Sequence, residues 1–286
     1  WDGSNNEIDL VTKTVEPRGD ETELAEITDL IGSYTTNFAS SSAGRAKNVI
    51  TGVSKVDGTI LYPGEEFDLA KTVSPFTQEN GYELAGAYQN GTVVESFGGG
   101  ICQVATTLYN AVIRAELEIT MRFNHSMLVH YVEPSMDAAI AGNYKDLKFK
   151  NNLDAPVYIE GYCSGGIIYF NVYGKETRPS NREISFESET VSKTDPKVQF
   201  TMDASLTAGS VSVTQSGQSG CIAQLWKIVK VDGKQQSRDL FNKSNYQATP
   251  KLITIGTKDA TSETLSALKA AITIGDEAKV RSAAAG

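Results

Sequence analysis

A thiol nucleophile with an imidazole base is one pairing that can make and break bonds to an acyl group, and both residue types are scarce here: three cysteines and two histidines in 286 residues. Cys102 follows Gly98-Gly99-Gly100-Ile101 and opens a run with helical periodicity. Glycines ahead of a helix permit tight or left-handed backbone and let a substrate approach the main chain closely. Gly99 and Gly100 are therefore expected to line the substrate path. A cysteine in the first turn faces unpaired N–H groups and the positive end of the helix dipole. Such placement can bring a thiol pKa from ~8.5 into the ~3.5–7.5 range, and the same N–H groups can hold the oxyanion of a tetrahedral intermediate. His125 is the candidate base, and a cysteine paired with a histidine is the logic of nucleophilic acyl transfer. Blander readings stay open at this level. A cysteine at a helix start can be a small hydrophobe, and a histidine on an apolar strand face can be a satisfied core residue. His130 falls on the opposite face if the strand continues, and ranks below His125. The hydroxyls of Thr106, Thr107 and Tyr109 either line a site or pack the helix, with packing the default.

The elements that must position this pair can be read from periodicity. Val104, Leu108, Ala111, Val112 and Ala115 form one stripe, which predicts a buried helix over residues 101–117. Ile119, Met121, Phe123 and His125 alternate with Thr120, Arg122 and Asn124. That predicts a strand over 118–125 whose apolar inner face carries His125 to the helix N-terminus. Upstream, Leu24, Ile27, Leu30 and Ile31 predict a helix over 21–31 stopped by Gly32, after an extended opening, and a second helix is expected over 43–55. Turn signals follow at Asp57-Gly58, Pro63-Gly64, Asn80-Gly81 and Asn90-Gly91. Downstream, 147–150 alternates, and 157–162 with 167–173 forms a hairpin through Ser164-Gly165-Gly166. Beyond about residue 180 the texture turns to Ser, Thr and Val, with strands expected at 211–213, 222–231 and 252–255. This reads as a separate small all-β module, closed by an Ala-rich tail with a few turns of helix. The expected class is α+β, a mixed α+β catalytic domain followed by the β module. The expected divisions are 1–35 (linker or tail of an upstream domain), 36–175, 176–257 and 258–286.

Composition narrows the function. A net charge of −9 with pI about 4.9 argues against nucleic-acid or anionic-membrane surfaces, which recruit Lys and Arg. No run approaches the ~18 apolar residues of a membrane span. The start, Trp1-Asp2-Gly3-Ser4-Asn5-Asn6-Glu7, is polar, so the chain reads as a segment whose export signal or membrane anchor lies outside it. Cys102, Cys163 and Cys221 are too scattered for a disulfide scaffold or a zinc site. No metal or cofactor is expected. Cys163 and Cys221 read as incidental thiols, a bridge between them being a weak alternative. Trp226 could stack on a sugar ring, with core packing the default.

At Arg45-Ala46-Lys47-Asn48-Val49 and 58–67 (Gly-Thr-Ile-Leu-Tyr-Pro-Gly-Glu-Glu-Phe) the chain resembles the VanW-like family. The resemblance continues through Gly81-Tyr82, the specific run 98–111 (Gly-Gly-Gly-Ile-Cys-Gln-Val-Ala-Thr-Thr-Leu-Tyr-Asn-Ala), His125-Ser126, Tyr131-Val132, Asp137-Ala138 and 146–151, covering roughly 35–175. The chain departs at Phe67-Asp68-Leu69-Ala70, where that family usually has Phe-Ser-Phe-Asn. Residues 180–257 resemble the G-five module of wall-associated proteins, through Gly209, Gly217, Gly220, Gly233 and Gly256 with Pro250-x-Leu252-Ile253-Thr254-Ile255-Gly256.

The resemblance implies an extracytoplasmic cell-wall protein and an L,D-transpeptidase that cross-links peptidoglycan stems through a thioester on Cys102. His125 would move the protons. Asp137, or failing that Asp146, would orient the imidazole, and both could instead be turn formers. Gly99, Gly100, Gln103, Thr106 and Tyr131 would contact substrate. Arg45 and Asn48 would touch substrate carboxylates or simply fix their helix. The partners implied are stem peptides and, through the module, wall glycan, the module otherwise being a spacer. A papain-like peptidase of stem peptides and a non-catalytic wall-binding protein are the alternatives.

Overall fold

The computed structural model describes residues 19–89, 92–142 and 144–286. The extended opening and the Asn90-Gly91 turn lie outside the described residues. The first part of the chain runs α1 (Glu21–Leu24), β1 (Asp29–Asn37), α2 (Ala43–Val56), β2 (Thr59–Leu61), β3 (Glu66–Asp68), α3 (Leu69–Val73), β4 (Leu84–Gln89) and β5 (Thr92–Phe97). It continues through α4 (Ile101–Arg114), β6 (Glu118–Met121), β7 (Lys148–Lys150), β8 (Val157–Ser164) and β9 (Ile167–Gly174). An antiparallel sheet in the order β1-β9-β8-β2 forms one layer, and α2 and α4 pack on it. The β8–β9 hairpin turns through Gly165 and Gly166 at φ 58° and 78°, the conformation that favours glycine in two-residue hairpin turns.

The expected helix over 21–31 shrinks to one turn, capped by Asp20. Leu30, Ile31 and Gly32 instead lie in β1, where Gly32 is a point of close approach rather than a stop. A Cβ on it would lie 2.5 Å from both Ala111 O and Ala115 N of α4. The sheet of the first domain thus begins at Asp29, inside the stretch expected to be linker. The strand expected over 118–125 ends at Met121, after its register shifts against β7 between Ile119 and Met121. Met121 and Phe123 are exposed rather than inward-facing.

The second part holds β10 (Arg182–Thr194), β11 (Val198–Thr207), β12 (Val211–Gln215), β13 (Gly220–Val231), β14 (Lys234–Tyr246) and β15 (Lys251–Lys258). One sheet is β10-β13-β14 and the other β11-β15-β12, the β11–β15 pair being parallel. Two helices, α5 (Ser262–Ile274) and α6 (Glu277–Ala285), follow in the Ala-rich tail, where a few turns of helix are expected. They bury Leu268, Ala271, Val280 and Ala284 on Ile253 and Ile255.

The β module packs against the first domain. Leu225 of β13 is fully buried in the core built around α4, with Phe186 and Phe241 packed beside it. Glu116, just past α4, takes Arg182 at 2.6 Å and also meets Lys227. Burial would raise the carboxyl of Glu116, but its hydrogen bonds to Arg182 and Lys227 and their charges outweigh it and hold the group down at about 2.

Candidate active site

The Gly98–Gly100 turn delivers α4. Gly100, at φ 112°, is the N-cap and has no side chain to cap with. Gly99 runs so close to β4 that a Cβ would lie 2.7 Å from Ala85 O. Asn48 of α2 fixes this turn by donating to Gly99 O and Glu83 O, which makes its role structural. Cys102 is the second residue of α4 and only half-buried, unlike most of the helix behind it. Its sulfur lies 3.4 Å from both the N–H and the carbonyl oxygen of Ile140.

His125 arrives from the loop after β6, not from a strand face. It is held by Asp137, whose Oδ2 accepts from the His125 backbone N–H at 2.7 Å and lies 2.6 Å from Nδ1. With Nδ1 taken, Nε2 is the nitrogen left for the thiol, and Cys102 and His125 interact as a hydrogen-bonded pair. Asp137 Oδ1 accepts from Arg122 Nη2 at 3.0 Å and from the Tyr246 hydroxyl at 2.5 Å. A fully buried carboxylate therefore faces four donors. Burial pushes its pKa up, but the bond to and charge of His125, with Arg122 behind, bring it below the usual value.

The same balance acts on the other two groups. Burial raises the Cys102 thiol, and this is outweighed by the His125 hydrogen bond, the His125 charge and the Ile140 N–H, so its pKa falls below the ordinary value. Burial lowers His125, but Asp137 and Cys102 carry it up to about 9. Both shifts run in the direction that favours a thiolate–imidazolium pair over the neutral one.

Two cavities meet at Cys102 and His125. The smaller, about 350 Å³, reaches Arg45, Phe76, the three glycines, Gln103, His130 and Tyr131. The larger, about 1060 Å³, runs between the first domain and the β module, where Lys145 and Ser126 face Gln199, Gln247 and Thr249. No Asp or Glu stands among the described lining residues of either.

Of the residues expected to contact substrate, Gly99, Gly100, Gln103 and Tyr131 line the smaller cavity. Gln103 is spent on the protein, accepting from Arg45 and donating to Thr36 Oγ1 and Asn37 O. Thr106, also expected to contact substrate, lines neither cavity. It is completely buried, and its hydroxyl exchanges bonds with the N–H and carbonyl of Ala138, so it braces the Asp137 loop. Thr107 and Tyr109 are likewise buried and bonded internally. Asp146 lies away from the imidazole and accepts from the backbone N–H groups of Ala70 and Leu147. Trp226 bonds Glu189 and lies under the Arg238 guanidinium at 4.1 Å. All three thiols are free. Arg122, Ile140 and Tyr246 were not among the expected site residues. Arg122 stood on the supposed outer face of its strand, and Tyr246 lies 109 residues from the carboxylate it touches.

Among the described residues no group of three or more His, Cys, Asp or Glu is placed to hold a metal ion, and no helix is long and apolar enough to cross a membrane.

Residues 44–173 match the family described as VanW like protein, and residues 186–258 match the G5 domain. The chain is 34% identical over 172 residues to "Uncharacterized protein YoaR" of Bacillus subtilis (strain 168), covering 60% of this chain and 57% of that protein. It is 26% identical over 118 residues to "Vancomycin B-type resistance protein VanW" of Enterococcus faecalis (strain ATCC 700802 / V583), covering 39% of this chain and 42% of that protein. The chain thus spans about half the length of these relatives. Among solved structures, "IgA1 Protease G5 domain structure" matches at 26% identity and TM-score 0.20, covering 27% of this chain and 94% of that one.

Proposed function

Starting from a chain that carries a VanW-like domain followed by a G5 domain, we propose a cell-wall-associated cysteine acyltransferase, an L,D-transpeptidase acting on peptidoglycan stems. The observation that carries this reading is the Cys102–His125–Asp137 relay, with its thiol pulled down and its imidazole pulled up, at the junction of two cavities. The cell-wall setting rests on the family and on the G5 module, which we assign to wall glycan; the whole protein would then work outside the cytoplasm.

In the proposed reaction the Cys102 thiolate adds to the carbonyl carbon joining stem residue three to D-Ala at position four. The backbone N–H of Cys102 holds the oxyanion, since those of Ile101 and Gln103 are bonded to Gly98 O and Gly100 O. The His125 imidazolium gives its proton to the leaving amine, the C–N bond breaks, D-Ala departs and a thioester remains. The side-chain amine of residue three on a neighbouring stem then attacks the thioester carbon and passes a proton to the imidazole. A new C–N bond forms, the C–S bond breaks, and the 3–3 bridge leaves. Asp137 keeps the imidazole oriented throughout.

The large second cavity favours transfer over hydrolysis, because an acceptor strand needs its own path to the thioester. The test is incubation of the chain with disaccharide tetrapeptides, read by mass. A product equal to two substrates less one alanine is expected, and Cys102→Ala should give none. A product shortened by alanine alone would make the protein a peptidase. Absence of any product and of any acyl adduct on Cys102 would leave a wall-binding protein.

A further inference from the structure

The smaller cavity holds a cation that the fold leaves without a counter-charge. Arg45 projects from α2 over the glycine turn, and a Cβ on Gly100 would lie 3.1 Å from its Cγ. Its Nη1 donates to Ser41 Oγ at 2.6 Å and its Nη2 to Gln103 Oε1 at 2.8 Å. Gln103 is itself locked by its bonds to Thr36 and Asn37. Two neutral acceptors therefore aim the guanidinium without neutralising it. The group has five N–H donors in a rigid fork, so three remain to address a ligand.

Arg45 is alone in this among the described arginines. The others face a carboxylate or, for Arg114, the rings of Tyr34 and Phe186. In a chain of net charge −9 a carboxylate partner would be easy to supply. Instead the cavity collects Arg45, His125 and His130 with no acidic side chain among its described lining. At about 350 Å³ it is at the small end of ligand pockets, suited to one terminal residue rather than a passing chain.

We propose that Arg45 binds the free α-carboxylate of the residue that leaves, so that Cys102 acts one residue from a peptide's C-terminal end. This rests on the acyl-transfer reading and names its donor class. A leaving residue with its amine at His125 carries its carboxylate into the same cavity, where the fork of Arg45 can take both oxygens. The smaller cavity is then the donor-end site, and the larger one is left to the acceptor.

The test separates binding from chemistry. The full chain carrying Cys102→Ala is titrated calorimetrically with a stem-like tetrapeptide ending in D-Ala as the free acid, and with the same peptide as its C-terminal amide. The acid should bind roughly 10-fold or more tightly, the scale of a charge-assisted hydrogen bond. Adding Arg45→Gln should bring the acid to the level of the amide, and Arg45→Lys should recover part of the difference. Equal binding of acid and amide, no binding of either, or a preference that survives Arg45→Gln overturns the proposal. Because the acid–amide comparison is made on unaltered Arg45, it holds even if a variant folds poorly. Acyl-enzyme formation by unaltered Cys102 is followed in parallel by intact mass. A binding preference without acylation sinks the nucleophile reading and spares Arg45, whereas acylation without preference does the reverse.

Discussion

At the scale of single residues the chemistry depends on which of three thiols is charged. Cys102 is drawn below the ordinary thiol range by His125 and Ile140, while burial pushes Cys163 up to about 11 and raises Cys221 as well. A thiolate is the species that alkylates. At pH 7 iodoacetamide should therefore modify Cys102 well ahead of the other two, as read by peptide mapping. Since the Cys102 pKa is lowered, its rate should rise at lower pH than the rates of Cys163 and Cys221. Replacing His125 with Ala removes the bond and the charge that oppose desolvation. The reactive limb should then move up beyond pH 8, with a rate at pH 7 down by about 10-fold or more, the size of one pKa unit. A profile that does not move would mean the imidazole has no hold on the sulfur. The position of Cys102 at the start of a helix was legible because a glycine run, a helix stripe and a cysteine are contiguous, whereas His125 was expected on a strand face and comes instead from the loop after β6. The choice between Asp137 and Asp146 was not legible. Both follow the histidine, and only the path of the loop shows that one bonds Nδ1 while the other caps backbone at Ala70 and Leu147.

At the scale of elements, α4 works because its entrance is shaped by backbone alone. Gly100 stands at φ 112° with Arg45 Cγ and Val49 Cγ2 each 3.1 Å from where a Cβ would be. Gly100→Ala should cost about 1–3 kcal/mol of stability, the cost of a residue held in a sparsely populated conformation. It should also slow Cys102 alkylation, because the turn shifts the first helical residues. A thermal melt and the labelling rate on one preparation check both. The helices α2 and α4 and the β8–β9 hairpin follow their sequence patterns closely, since each is set by periodicity or turn chemistry over a few residues. The first helix and the strand after α4 do not. Leu30 and Ile31 fit helical spacing, yet pairing with β9 captures them as strand. Alternation from Ile119 to His125 continues on paper past the point where the ladder with β7 gives out. Local pattern cannot report where a partner strand ends.

At the scale of the whole molecule, Glu116 joins the two parts. Its folded pKa of about 2 lies below the ordinary 4.5, so the stability it supplies is complete above about pH 4.5 and is lost as pH falls toward 2. The shift corresponds to at most ~3 kcal/mol. Glu116→Gln should lower the melting temperature at pH 7 and flatten its acid dependence between pH 5 and 2, seen by calorimetry. The sequence texture marked the change of module near residue 180 but not the contact across it, because Leu225, Ser244 and Tyr246 meet their partners only in the folded chain. One of those contacts bears on how such chains can be rebuilt. The Tyr246 hydroxyl, on the last residue of β14, accepts from the Ser135 N–H and donates to Asp137. Grafting a foreign C-terminal module onto the first 175 residues would therefore remove one of the donors that hold Asp137 behind His125, and a chimera that keeps this support would need a phenol restored at that one position.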